Sequence, residues 1–313
     1  MPAWGESPDA ARRVLQAALG EAAGQAMPAF PVLASPGWHG VDATHWQASG
    51  PDGRLHLKLL HPDAAAYVDA AAAIEAARLA GELGVGPAVL HADPSAGALL
   101  MPLLEGWRVA TLERLYEPAI QDAILAARRR LHAGPPLSRH IDIGAQIDDL
   151  ARRCALAGAS LPEDVADLRR AVATGLARIA AAGVDLVPAH GDGMASNHML
   201  GPDGQVLLVD FDLAGMMDPF LDIGSFIGEA ALQEPEARAL FERWHGHNDE
   251  GLFARAMLYA AADDLRFGLI GALLARTSRR RELEFVKYGN WRFLRCRMAI
   301  RDPRFAERCR RVR

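Results

Sequence analysis

From residue 105 onward the sequence reads as one helix after another, except between 186 and 212, where it changes to loop, strand, turn and strand. The informative stretch is VPAHGDGMASNHMLGPDGQVLLVDFDLAGMMDPFLDIGSF, residues 187–226. His198-Met199-Leu200 and Val206-Leu207-Leu208-Val209 flank the turn Gly201-Pro202-Asp203-Gly204, the pattern of a β-hairpin. A hairpin folds its ends back on each other, so Asn197 and Asp210 are expected side by side, with Asp192 facing them from the preceding loop. Two carboxylates and an amide converging at a strand end make a hard oxygen site suited to Mg²⁺, which takes one or two protein carboxylates and keeps several waters. The remaining carboxylate is then left to accept a proton from an attacking hydroxyl. Phosphoryl transfer needs that set, together with a cation on the phosphates.

The cation is sought upstream. Residues 41–49 and Arg54–Leu60 flank the turn Gly50-Pro51-Asp52-Gly53 and read as a second hairpin. In its second strand Leu55, Leu57 and Leu59 alternate with His56 and Lys58, so Lys58 points away from the apolar face. Lysine is scarce here: Lys58 and Lys287 are the only two among 34 basic residues, so Lys58 stands out against an arginine background. A Gly/Pro turn, SPGWHG at 35–40, precedes the hairpin, and its Gly37 and Gly40 are candidates for backbone contacts to phosphate. A helix is expected over 63–83, stopped by Gly84 and Gly86-Pro87, with Glu75 as the ion-pair partner of Lys58 and Glu82 as the alternative. Strands near 88–92 and 97–103 complete a small α+β unit over 1–104, which also holds a helix at 7–26 capped by Ser7 or Asp9. Leu104-Glu105-Gly106 is the connector, and 105–313 form the second, mostly helical unit, with helices at 111–132, 141–157, 162–182, 222–233, 235–246, 249–274 and 280–312.

Composition excludes several classes. Net charge is −5, too mild for a nucleic-acid-coating surface. Cys154, Cys296 and Cys309 are far apart, odd in number and without a CxxC pair, which fits reduced thiols rather than a disulfide framework or zinc site. The N-terminus lacks a signal-peptide core, and no run approaches the roughly 20 apolar residues of a membrane span. A soluble, cytoplasmic protein is expected. The segment from Arg276 to Arg313 is strongly arginine-rich and reads as a solvated basic helix, or alternatively as a polyanion or partner surface.

Taken together, these residues resemble the choline/ethanolamine kinase and aminoglycoside phosphotransferase superfamily, whose two-lobed fold is similar to that of protein kinases. His190-Gly191-Asp192 through Asn197 resembles its catalytic loop, Val209-Asp210-Phe211-Asp212 its metal-binding strand end, and Asp218-Pro219-Phe220-Leu221-Asp222-Ile223-Gly224 its helix opening. The resemblance implies an ATP- and Mg²⁺-dependent kinase with an α+β fold, a sheet-plus-helix first lobe and a helical second lobe. It implies Asp192 as base, Asn197 and Asp210 on Mg²⁺, Asp212 assisting a second ion, and His190 and Asp222 bracing the loop. LLMPLLEGW at 99–107 resembles the hinge, where backbone groups from Met101 through Leu103 to Leu104 meet adenine. RRRLHAGPP at 128–136 and ADDLRFGLIGALLA with EFVKYGNWRF are closer to the choline kinase branch.

That branch often carries a WGLW pattern where this chain has Phe267-Gly268-Leu269-Ile270. Tryptophan faces hold quaternary ammonium groups best. Phe267 and Ile270 weaken such a cage, and Tyr288 and Trp291 are placed to restore part of it, with Glu229, Asp263 and Asp264 as acids for an amine. The acceptor is therefore expected to be a small, hydroxyl-bearing and cationic metabolite, resembling choline or ethanolamine. An antibiotic phosphotransferase and a nucleotide-binding pseudokinase scaffold are the alternatives.

Overall fold

The structure is a computed structural model that describes residues 7–35 and 37–312. Pro36 of the expected Gly/Pro turn and the last arginine of the basic tail lie outside the described residues.

The first lobe is an antiparallel sheet in the order β1-β2-β3-β5-β4, from β1 (Met27–Pro28), β2 (Ala43–Gly50), β3 (Gly53–Leu60), β4 (His91–Asp93) and β5 (Ala98–Pro102). Strands β2 and β3 form the expected hairpin, in register from Ala43 opposite Leu60 to Gly50 opposite Gly53. Alternation decides what each face meets. Leu55, Leu57 and Leu59 pack on α1 (Pro8–Leu19), which Ser7 caps through Ala10 N. His56 and Lys58 face the cleft instead.

Helix α2 (Ala70–Glu82) starts later than expected. Residues 62–66 form a short 3₁₀ turn, and Asp69 accepts from Ala71 N and Ala72 N, so the true cap lies six residues inside the expected helix. Tyr67 is turned aside by this break, and its hydroxyl donates to Asp42.

The second lobe begins with β6 (Arg108–Val109), α3 (Leu112–Leu115), α4 (Pro118–His132), α5 (Ile143–Ala157) and α6 (Val165–Ala182). Pro118 at the first position of α4 splits the single helix expected over 111–132. Two small sheets follow: β7 (Val187–Ala189) pairs β10 (Gly215–Met217), and β8 (His198–Leu200) lies between β6 and β9 (Val206–Leu208). Helices α7 (Pro219–Ala230), α8 (Glu234–His245), α9 (Glu250–Thr277), α10 (Phe285–Arg301) and α11 (Phe305–Arg311) complete the chain.

The centre of this lobe is α9, 28 residues long and buried on nearly every side from Phe253 to Leu274. Helices α5, α7 and α10 pack around it, which explains why its pattern is apolar all round rather than one-sided. Cys154 and Cys296 are buried in the same core, and Cys309 sits at its edge as a third free thiol. Among the described residues no helix is long and apolar enough to cross a membrane.

The basic tail is solvated only in part: Arg276, Arg279, Arg301 and Arg310 are exposed, while others are paired. Arg280 binds Asp63, Arg297 binds Asp164, Arg308 binds Glu234 and Arg311 binds Glu250, so these arginines tie α10, α11 and the segment before α10 to the body.

Candidate active site

The β8–β9 hairpin does what its sequence requires. His198 stands opposite Leu208, and Val209 N donates to Asn197 O at 3.0 Å, so Asn197 and Asp210 emerge together at its open end. Both line a cavity of about 580 Å³ between the lobes, together with His45, His56 and Lys58 from the sheet above. Met101, Leu103, Leu104 and Gly106 form its hinge-side wall. Gly40 lines it too, at φ +64°, while Gly37 is exposed and does not.

Lys58 is 4% exposed and lies among carboxylates. Its Nζ is 2.5 Å from Asp210 Oδ1 and 2.6 Å from Asp212 Oδ1. Burial opposes the ammonium charge, but Asp210 and Asp212 outweigh it and raise the lysine pKa. For Asp210 burial works upward, and Lys58 overcomes it, holding the carboxyl down to about 2. Asp212 is driven the other way, by burial and by the neighbouring Asp210 charge. Asp210 is also the one non-glycine residue with positive φ, +67°, among the described residues, so its backbone is held in a conformation that local preference alone would not choose.

The expected Glu75–Lys58 pair does not form. Glu75 accepts from Ser138 N at 3.1 Å and from the Ser138 hydroxyl, so it fastens α2 to the second lobe. Lys58 turns instead toward two acids on the far side of the cleft.

A third acid joins them. Asp42, at the end of the loop containing Gly37 and Gly40, accepts from Trp38 Nε1 at 3.0 Å. Oxygen atoms of Asp42, Asp210 and Asp212 all lie within 4.8 Å of one another. Burial, then the Asp210 charge, pushes the Asp42 carboxyl up to about 6. The donor set is all hard oxygen, and Asp212 Oδ2 is buried with no hydrogen-bond partner. These residues fit Mg²⁺.

Asp192 is 7% exposed and does not line the cavity. Its Oδ1 accepts from Met194 N at 2.8 Å. Burial, the largest influence, raises its pKa to about 7, with Asp263 and Asp210 adding to the rise.

The loop carrying Asp192 is fixed from several directions. Gly191 N donates to Asp222 Oδ1 at 2.8 Å. His190 is fully buried and donates from Nε2 to Val209 O at 2.8 Å, which sets its tautomer and ties the loop to the strand before Asp210. Arg128 reaches Asp222 Oδ1 at 2.5 Å and Asp192 O at 2.7 Å, while His132 Nε2 meets Asp222 Oδ2 at 2.8 Å. Arg266 donates to Gly191 O at 2.8 Å. Gly191 itself has φ +75°, and a Cβ there would stand 2.7 Å from Leu213 O; at Gly193 it would stand 2.3 Å from the Ser225 backbone. Neither position admits a side chain.

Asp42, Arg128 and Arg266 escaped the sequence reading. Each looks in the sequence like an ordinary surface charge, and tertiary contact shows its role: Asp42 beside Asp210 and Asp212, Arg128 on Asp222, Arg266 on Gly191 O. Of the residues expected around the acceptor, Phe267 is 1% exposed, Ile270 0% and Tyr288 4%, all inside the core, whereas Trp291 is 52% exposed and turned away. Asp264 is buried between Arg292 and Arg295.

Comparison with solved structures places this arrangement in a known setting. A choline/ethanolamine kinase family protein from Mesorhizobium loti is 25% identical, with a TM-score of 0.80 over 97% of this chain and 98% of that one. The choline kinase LicA from Streptococcus pneumoniae is 17% identical, with a TM-score of 0.70 over 82% and 89% of the two chains. A spectinomycin phosphotransferase in complex with ADP and spectinomycin is 15% identical, with a TM-score of 0.60 over 95% and 98%. A search of curated proteins found no significant match. The fold is kinase-like, an antiparallel sheet lobe on a helical lobe. Residues 34–259 match the phosphotransferase enzyme family (APH), and with that match spanning well over half of its length the chain belongs to that family and is a small-molecule phosphotransferase.

Proposed function

We propose that this protein transfers the γ-phosphoryl group of Mg·ATP to a hydroxyl of a small, amine-bearing metabolite. The observation that carries the reading is the meeting of Lys58 with Asp210, 152 residues apart in sequence, at the wall of a cavity that Asn197 also lines. The lobes divide at 104/105, and the nucleotide lies between them. Adenine meets the backbone from Met101 to Leu103, the Gly40 turn borders the phosphates, and Lys58 neutralises them. Asn197, Asp210 and Asp212 would hold Mg²⁺, with Asp42 within reach; the ion supplies charge neutralisation on the phosphate oxygens.

Asp192 orients the acceptor hydroxyl and takes its proton as the oxygen attacks phosphorus. A carboxyl raised to about 7 is matched to that task, because a stronger base near working pH accepts the proton more readily. His190, Asp222, Arg128 and Arg266 are positioning residues that hold the loop backbone. Phe267, Ile270 and Tyr288 form the apolar wall behind the acceptor.

The amine is read by Glu229. Among the described residues this half-buried carboxylate makes long contacts, 3.4 Å from Ala195 N and 3.5 Å from Arg295 Nη1, close to the loop that carries Asp192. Support for a small amine or amino sugar comes from the solved relatives, named for choline, ethanolamine and spectinomycin.

The test is ADP release from Mg·ATP across amino alcohols, thiamine, sugars and aminoglycosides. Turnover with an amine-bearing alcohol is the expected result. Magnesium-dependent nucleotide binding with no turnover across the panel would favour the pseudokinase scaffold instead.

A further inference from the structure

At the junction of α9 and α10, a cation already occupies the aromatic and acidic set expected to receive a cationic head group. Phe267 and Tyr288 stand edge to face at 6.4 Å. Trp38, from the loop that carries Gly37 and Gly40, closes over them at 4.7 Å from Tyr288 and 6.4 Å from Phe267. The guanidinium carbon of Arg292 lies 4.7 Å from the Phe267 ring centre and 5.9 Å from that of Tyr288. Both distances fall within cation–π range.

The acids are taken as well. Arg292 Nη2 donates to Asp263 Oδ2 at 3.0 Å, and its Nε forms an ion pair with Asp264 Oδ1 at 3.0 Å. Asp263 also binds Arg266, and Asp264 also binds Arg295. Arg292 is 4% exposed, so none of this is a surface pairing that solvent would screen. A second permanent cation brought here would meet ring faces already in use, carboxylates already neutralised, and a like charge in a poorly polarisable interior.

We propose that Arg292 is a resident cation and a specificity-determining residue: it fills the aromatic–acid set, so the acceptor is an alcohol whose amine carries N–H groups, and quaternary ammonium alcohols are rejected. The proposal rests on the amine-bearing reading above. An N–H ammonium can donate to Glu229, whereas a tetra-alkylated nitrogen has no hydrogen to offer and depends on the rings that Arg292 covers.

Two measurements test it. In the first, thermal unfolding of the full chain is followed with tetramethylammonium or guanidinium at tens of millimolar, against equal sodium chloride. The wild type is expected to show no saturable shift with either. Arg292→Ala, which removes one of the two arginines on each of two buried aspartates and empties the space over the rings, is expected to unfold roughly 10 °C lower and to regain part of that loss in guanidinium. Saturable tetramethylammonium binding to the wild type would overturn the proposal, as would an Arg292→Ala protein that neither loses stability nor responds to guanidinium. Should that variant not fold, the wild-type titration still decides.

In the second, kcat/KM is compared for ethanolamine and its trimethylated analogue choline. At least a tenfold preference for the N–H amine is expected, and a preference for choline overturns the proposal. Turnover with neither counts against the amine-bearing acceptor, while the ammonium titration still decides whether the set is filled.

Discussion

The two ends of the cleft are built on opposite charge balances. At the end beside the cavity, Asp42, Asp210 and Asp212 gather around a single lysine, and one Asp212 oxygen is left without a partner. At the α9–α10 end, Asp263 and Asp264 meet Arg266, Arg292 and Arg295, two arginines on each acid, with aromatic rings filling the space between. Buried charge that lacks compensation is costly, so a surplus of carboxylates marks a place that is completed by something from outside. A compensated, filled cluster marks a place that is already complete. Under the proposed function, the first end takes the metal–nucleotide complex, and at the second the protein's own arginines limit what can enter.

That contrast can be broken most sharply at Asp192. Asp192→Asn should lower kcat by about 10³-fold while leaving nucleotide affinity nearly unchanged, since it removes a proton acceptor and not a ground-state contact. Single-turnover kinetics with a nucleotide-binding titration checks both halves, and near-normal turnover would remove Asp192 from the mechanism.

Lys58→Met tests the surplus itself. The substitution strands Asp210 and Asp212, so nucleotide affinity should fall on the order of tenfold to a hundredfold. The unfolding midpoint should also fall, and Mg²⁺ should restore more stability to the variant than to the wild type. Equal magnesium responses in the two proteins would mean that these acids do not attract the ion.

The pH profile offers a smaller effect. Asp192 is raised to about 7, so its protonated, inactive form dominates below that value. The rate should climb up to tenfold per pH unit as pH rises towards 7 and level off above it. Asp210, held down to about 2 by Lys58 against its burial, should add no second limb in this range. The same raised pKa means the folded chain binds more protons than the unfolded chain between about pH 4 and 7, so this group's contribution to stability declines as pH rises across that window. A rate that is flat from pH 5 to 8 would assign the base elsewhere.

Glu75→Ala should matter least. Because Glu75 holds Ser138 and not Lys58, its loss should alter nucleotide affinity by less than about threefold and stability by about 1 kcal/mol. A loss as large as that of Lys58→Met would show that the two pair during catalysis.

What could be read in advance follows the same division. The β8–β9 hairpin was legible because strand periodicity and a Gly-Pro-Asp-Gly turn are local signals, and a hairpin fixes which residues meet at its ends. The placement of Lys58 on the cleft face followed from alternation alone. The start of α2 lies later than the apolar pattern predicts because Tyr67 reaches Asp42 and breaks the run, leaving Asp69 as the cap. Glu75 was assigned to Lys58 from helix position, but pairing is settled by the far side of the cleft, which sequence distance hides. Arg128, Arg266 and Arg292 resemble surface arginines in the sequence. Only the packing of helices around α9 shows that each is buried against backbone carbonyls or aspartates.

The scarcity of lysine has a practical side. Lys287 is exposed on α10, with a side chain 66% accessible, while Lys58 is enclosed and kept protonated by two acids. Acylation needs the reagent to reach the nitrogen, so Lys287 is open to it and Lys58 only when its carboxylate partners are drawn away or the lobes part. With no other lysine in the chain, the mass of one peptide becomes a clock for opening of the cavity around Lys58, readable without a labelled nucleotide or an identified acceptor.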